Sequence, residues 1–503
     1  MKIFFNLSTF FFLIFSAALV FFPLSYSQSL SGSSLKLLRS SSNELILPPD
    51  IDPPLETAGN VFFNPYLTTG LNNGTTWDNA YQTWGAFNWT NVDAGDTIFI
   101  HGVPNDTTWL TTTIGFGKSG TSGNKIVIMP GYSLGHNGVV ISKVGRTSGL
   151  YGFRSDAATW TTRNYWKLYG IGFQDGDTTS TKPQVVILAG IGWEIENCKT
   201  NMISGRGFIN IDGNGNSGTE NCGDWIIKNC STYAVSKMRE YSNNQEDFIY
   251  SSYCNTGTNI IEGNYAYLWN KIYVHQDAVQ LVYEACNYII RNNHFNGGTQ
   301  QTDGINLSTP NATGKKWQVY NNLLEVTTNK NGAGIDFYAS ATGAIDSLMI
   351  YNNTIYMPSA DGFKGIILAY DSPSVNGKVY VKNNIIYRPN ADATPPISIY
   401  GTLTNYANWQ NNLIYQPTDA VMYISGSSPT YKTWAQWQAM SGNPDINGIN
   451  ANPLFTTDGS NFTLQAGSPA VNAGITLGVP YNVDILGVAR PHVSGYSVGA
   501  FEK

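Results

Sequence analysis

Adjacent asparagines recur along the chain at a nearly constant step: Asn292-Asn293, Asn321-Asn322, Asn352-Asn353, Asn383-Asn384 and Asn411-Asn412. Taking the second of each pair as a register and extending it backwards gives Asn264, then Cys230 and Cys198, with steps from 198 to 412 of 32, 34, 29, 29, 31, 31 and 28 residues. Three residues before each slot stands an apolar side chain: Ile195, Ile227, Ile261, Ile290, Val319, Ile350, Val381 and Trp409. A unit this short cannot bury a core alone, so it must stack on its neighbours. One asparagine per coil is then available to hydrogen-bond the asparagine above and below.

Helical repeats of this length would need amphipathic runs with apolar residues at i, i+3 and i+4, and none is found. The coils read instead as short alternating strands rich in Ile, Val, Tyr and Trp, such as Trp317-Gln-Val-Tyr and Val379-Tyr-Val-Lys, separated by Gly, Asn, Ser and Thr turns. The pattern predicts an all-β fold, a single-stranded parallel β-helix with an asparagine ladder and capped ends. On these residues the chain resembles the right-handed parallel β-helix superfamily of pectate lyases and related polysaccharide-active proteins, over most of its length. The resemblance implies a right-handed solenoid and a polysaccharide partner. It does not by itself select a reaction.

The N-terminus reads as a signal peptide: Lys2, an apolar stretch from Ile3 to Phe22, then Ser25-Tyr26-Ser27 before Gln28. The expected organisation is signal peptide 1–27, Ser/Pro-rich linker 28–57, β-helix with its N-terminal cap 58–440, and closing segment 441–503. A secreted, extracellular or periplasmic monomer is expected, with no stable membrane insertion after cleavage. Only 12% of residues are charged and the formal net charge is −6, which argues against a nucleic-acid partner. The 30 Tyr and 13 Trp fill strands, and their apolar faces with polar tips also suit sugar rings. Cys198 and Cys230 occupy the ladder slot and are expected as buried thiols. Cys222, Cys254 and Cys286 form a second column in which one pair can bridge.

Around Val61-Phe62-Phe63-Asn64, Asn73 to Ala80 and Asp93-Ala-Gly-Asp-Thr-Ile-Phe-Ile100, the chain resembles the opening coil of secreted β-helix proteins, where a short helix caps the solenoid. The last residues, from Asn452-Pro-Leu-Phe455 to Gly499-Ala-Phe-Glu502, resemble a closing segment of extracellular β-helix proteins. Such caps are physically required, because an open end exposes unpaired strand edges.

A second register carries the chemistry. Aligning Asp277-Ala-Val-Gln-Leu with Asp303-Gly-Ile-Asn-Leu stacks Asp277 on Asp303, and Asp247 enters the column one coil earlier. Core positions Ile249, Val279, Ile305 and Ile335 then alternate with an outward polar column of Tyr250, Gln280, Asn306 and Asp336. His275, Lys237 and Arg239 stand nearby in sequence. Stacked carboxylates repel unless a cation, a proton or good donors intervene. One reading is a Ca²⁺ site at Asp247, Asp277 and Asp303. There the ion offsets a uronate carboxylate, and a neighbouring Lys237, Arg239 or His275 removes the C5 proton, as resemblance to calcium-dependent pectate lyases implies. The other reading is hydrolysis with two of the three aspartates as acid and base. Tyr250, Gln280, Asn306 and Asp336 are the expected substrate contacts in either case. The sequence-level expectation is a secreted polysaccharide lyase acting on a uronate glycan, with a glycoside hydrolase and a non-catalytic glycan-binding or adhesive protein as alternatives. A structural spike is a further class, and the signal peptide counts against it.

Overall fold

A computed structural model describes residues 59–143 and most of 152–503. Outside the described residues lie the expected signal peptide and linker. So do 144–151, 156–161, 175–183, 202–206, 214–220, 233–246, 269–276, 298–302, 309–312, 327–331, 340–343, 360–361, 371–377, 401–407, 425–429, 441–443 and the single positions 393, 419 and 493.

Three sheets wind as the parallel β-helix read from the sequence. The first has 12 strands, from Val61–Phe63 to Trp409–Gln410; the second has 11, from Gly102–Leu110 to Leu413–Tyr415; the third has 12, from Ile114–Phe116 to Thr430–Thr433. One coil shows the plan: Thr258–Glu262 in the first sheet, Tyr265–Leu268 in the second, Val279–Val282 in the third, then Asn287–Arg291 back in the first. The apolar slot pairs in register as expected, with Ile261 on Ile290, Ile290 on Val319, and Val319 on Ile350. These side chains are fully buried and belong to one continuous core running the length of the solenoid.

The two asparagine columns do different work. The first member of each pair turns the corner in the left-handed region, with φ of 56° at Asn292, 53° at Asn321, 54° at Asn352, 56° at Asn383 and 54° at Asn411, a conformation Asn tolerates far better than bulky residues. The second member points inward and closes the ladder. Asn293 Nδ2 donates to Asn322 Oδ1 at 2.9 Å and to the Ile261 carbonyl at 3.0 Å, while its backbone N–H donates to Asn322 Oδ1 at 3.0 Å. The same set repeats from Asn264 to Asn412 and ends on Asp445 Oδ1, 3.0 Å from Asn412 Nδ2. Cys198 and Cys230 are buried free thiols, and Cys222 bridges Cys254.

Both ends are closed. At the N-terminus the expected short helix is a set of 3-10 turns at Trp77–Asn79, Trp84–Ala86 and Trp89–Asn91. The closely spaced tryptophans explain the difference, because Trp84 and Trp89 lay their rings on Phe87 and single turns suffice to aim them. At the other end the helix Trp434–Gln438, held by a Thr433–Gln436 capping box, buries Trp437 against Trp409. The segment from 444 onward then runs back along the solenoid. Outer-column side chains donate to its carbonyls: Asn411 to Ala473 and Asn383 to Ile475 at 2.8 Å, Asn321 to Val483 at 2.7 Å. Phe455, Phe462, Leu464, Ile485 and Phe501 form a second core on Leu323, Tyr356, Ile385, Tyr387 and Leu413 of the second sheet. That face of the solenoid is therefore covered.

The ladder predicts a large stability effect at its middle. Asn353→Ala removes a buried amide bonded to both neighbouring coils and should cost on the order of 3 kcal/mol, read by chemical denaturation.

Candidate functional site

The third sheet sets out the residues singled out by sequence. Ile249, Val279, Ile305 and Ile335 pair in register as the core row, and Tyr250, Gln280, Asn306 and Asp336 pair as the alternate row. Continuing the register past Asp303 reaches Ala333 and then Lys364, so one corner column reads Asp247, Asp277, Asp303, Ala333, Lys364.

The three aspartates do stack, but they are buried. Asp247 Oδ1 accepts the Asp277 N–H at 2.8 Å, Asp277 Oδ1 accepts the Asp303 N–H at 2.8 Å, and Asp303 Oδ1 accepts the Ala333 N–H at 2.6 Å. This is a carboxyl counterpart of the asparagine ladder. Asp303 Oδ2 also accepts from Asn306 Nδ2 at 3.0 Å. Gln280 and Asn306 are largely covered as well, whereas Tyr250 and Asp336 are half-buried.

Burial and mutual repulsion shape the protonation of this column. Burial, then the charges of Asp303 and Asp247, pushes the Asp277 carboxyl well above the usual range. Burial lifts Asp303 to about 6 against the lowering effect of its donors, the Ala333 N–H and Asn306. Asp336 is pushed well up by burial and then by the charge of Asp303. Each ladder aspartate has one oxygen engaged by a backbone N–H, and among the described residues no cluster of three or more His, Cys, Asp or Glu has a metal-holding arrangement. The column alone is thus not the cage of 6–8 oxygens that Ca²⁺ takes. Lys237, Arg239 and His275 fall in 233–246 and 269–276, outside the described residues.

Lys364 went unread in the sequence. Burial, and then the charge of Arg388, lowers its amine to about 8. Arg388 is fully buried and bonded to Asp392 at 2.8 Å and to the Thr394 carbonyl at 2.6 Å. The signal was present: Asp303-Gly-Ile, Ala333-Gly-Ile and Lys364-Gly-Ile are the same strand entrance in successive coils. Glycine is required behind the column, since a Cβ on Gly304 would meet the Gly334 carbonyl oxygen at 2.6 Å. Where the second sheet turns toward the third, a water-sized cavity is lined by Asp303, Glu325, Phe295 and Leu324. Glu325 Oε1 lies 2.6 Å from His294 Nε2.

No protein-family model and no curated protein matches the chain. Solved structures do. A pectate lyase, Pel9A, is 16% identical over 88% of this chain and 96% of its own, with a TM-score of 0.49. A rhamnogalacturonan lyase is 16% identical over 70% and 87%, with a TM-score of 0.44. A tailspike protein mutant of E. coli bacteriophage HK620, in complex with a pentasaccharide, is 12% identical over 71% and 58%, also at 0.44. These likenesses assign no reaction, and the fold stands on the strand register described above.

The raised carboxyls fix a direction of pH dependence. Unfolded carboxyls titrate near about 4, so the folded chain binds more protons than the unfolded chain up to the folded values. Those are about 6 for Asp303, about 7 for Asp445 and about 8 for Glu284, each raised by burial. Their contribution is complete below the unfolded value and is lost as pH rises through the folded ones. The melting temperature should therefore fall between about pH 5 and about pH 8. Asp277→Asn, which keeps the acceptor oxygen and removes the charge, should raise stability at the alkaline end and change little at the acid end.

Proposed function

We propose that the protein is a secreted carbohydrate-active enzyme that cleaves a uronate-containing polysaccharide by β-elimination at the third-sheet corner. The observation that carries this reading is one column holding a lysine amine lowered to about 8 and an aspartate carboxyl raised to about 6. They stand two coils apart, roughly 10 Å at the spacing of parallel strands. β-Elimination needs a base to take the proton from C5, next to the uronate carboxylate, and a proton donor for the departing glycosidic oxygen. A lysine held near neutrality supplies the first. A buried carboxyl that keeps its proton at mildly acidic pH supplies the second, and Asp303 and Asp336 both qualify. In this scheme the C5–H bond breaks toward Lys364 Nζ, the C4–C5 double bond forms, and the C4–O bond breaks with its oxygen protonated. Tyr250 and Asp336, the half-buried members of the alternate row, contact the sugar hydroxyls, whereas Gln280 and Asn306, expected to face outward, lie covered.

Lys237, Arg239 and His275 remain proposed members of the site through the sequence. Ca²⁺ would need ligands from the segments that carry them, beside Asp247, Asp277 and Asp303; its chemistry, when bound, is to offset the uronate charge. Hydrolysis is the second reading, favoured by the unequal environments of Asp303 and Asp336, the kind of carboxyl pair in which one group keeps its proton as acid.

The test is ultraviolet absorbance of the unsaturated product, read with reducing-sugar release, on polygalacturonate, alginate and neutral glycans, with Ca²⁺ or chelator. The proposal expects absorbance whose rate rises up to about pH 6 and falls above about pH 8, because only molecules with Lys364 neutral and Asp303 protonated react, and a loss of at least about 100-fold in Lys364→Ala. Reducing ends without absorbance would move the assignment to hydrolysis, and silence in both channels would leave a glycan-binding protein.

A further inference from the structure

At the corner where the third sheet turns back toward the first, Tyr253 and Tyr283 both sit in the left-handed region, with φ of 59° and 56°. For a bulky side chain this is a strained conformation. At the ladder corner the chain meets the same demand with asparagine in coil after coil, so this corner keeps tyrosine against a backbone preference. Tyr165, also left-handed at 59°, has a packing reason: its ring lies over Gly192, where a Cβ would collide with it. Tyr253 and Tyr283 stack on each other, centroids 5.1 Å apart at 21°, while remaining 40% and 45% exposed.

The pair is rigidly mounted. Cys254, next to Tyr253, is bridged to Cys222, and its N–H donates to the buried Glu284, next to Tyr283, at 2.9 Å. In the preceding coil the register brings Asp212 beside Ser252 and so Gly213 beside Tyr253. The aromatic stack therefore ends, on that side, against a residue with no side chain. We propose that Tyr253 and Tyr283 form a stacking subsite for an uncharged pyranose ring of a bound glycan, the ring's apolar C–H face lying on the tyrosine pair and its hydroxyls facing Asp212. Charge selects the occupant: Asp212, half-buried where the register sets it beside Ser252, places an acidic side chain at this end of the sheet and disfavours a uronate carboxylate. The subsite rests on the glycan reading above. It adds that the glycan carries neutral sugars, roughly 17–20 Å along the strand direction from the Asp277 corner at about 3.3 Å per residue.

The test is native affinity electrophoresis through gels containing arabinoxylan, galactomannan, mixed-linkage β-glucan or polygalacturonate, on wild type and on Tyr253→Asn, Tyr283→Asn and the double variant. Asparagine accepts the left-handed backbone, so the variants should melt at or above the wild-type temperature. The proposal expects a neutral-sugar polymer to retard wild type and the double variant to bind it about tenfold or more weakly. Equal retardation of wild type and double variant would overturn the subsite and leave the glycan reading standing. A loss confined to polygalacturonate would overturn the neutral-sugar assignment. No retardation of wild type by any of these polymers would overturn both.

Discussion

The solenoid depends on one recurring constraint: a polar group turned inward at a corner can be satisfied only by the coil next to it. At the ladder corner the amide side chain meets that constraint completely. It accepts through Oδ1 from the coil before and donates through Nδ2 to the coil after, as Asn322 and Asn353 do. Buried amides left unbonded would be expensive, so the register cannot slip without breaking every rung. This fixes the corner, and the corner fixes which residues of the other two sheets stand above one another.

The aspartate column is the same device built from a group with no donor of its own. Asp247, Asp277 and Asp303 each accept a backbone N–H from the following coil, but buried acceptors in line repel one another unless some hold protons. Burial supplies that proton by raising the carboxyls. The corner thereby gains acids that stay protonated at pH values where exposed aspartates are ionised. Two coils further on, burial beside the fixed charge of Arg388 moves Lys364 in the opposite sense, and one column acquires both a proton donor and a proton acceptor.

Much of this was legible in the sequence because period encodes register. The apolar slot, the Ile249 to Ile335 core row, the Tyr250 to Asp336 row and a bridged pair within the Cys222, Cys254, Cys286 column follow from spacing alone. Depth was not legible. Asp-Gly and Asp-Ala at a strand entrance read equally as exposed turn chemistry, and nothing in the spacing says which way the carboxyl points. Lys364 was readable through its Lys-Gly-Ile entrance, had the register been carried through Ala333. The role of the outer asparagines was not, because their partners Ala473, Ile475 and Val483 lie 62, 92 and 162 residues away in a segment without a period. The strain at Tyr253 and Tyr283 likewise lives in backbone angles that no residue pattern announces.

The central claim is that protons, together with backbone donors, hold the stacked carboxyls of the third-sheet corner. Infrared difference spectroscopy of the metal-free protein at neutral pH, comparing wild type with Asp277→Asn, tests it most directly. The account predicts a protonated-carboxyl band in wild type that diminishes in the variant and is unchanged by Ca²⁺. A spectrum with every carboxyl ionised, in which Ca²⁺ shifts the carboxylate bands of wild type but not of Asp277→Asn, would show the column to be a cation site and contradict the account.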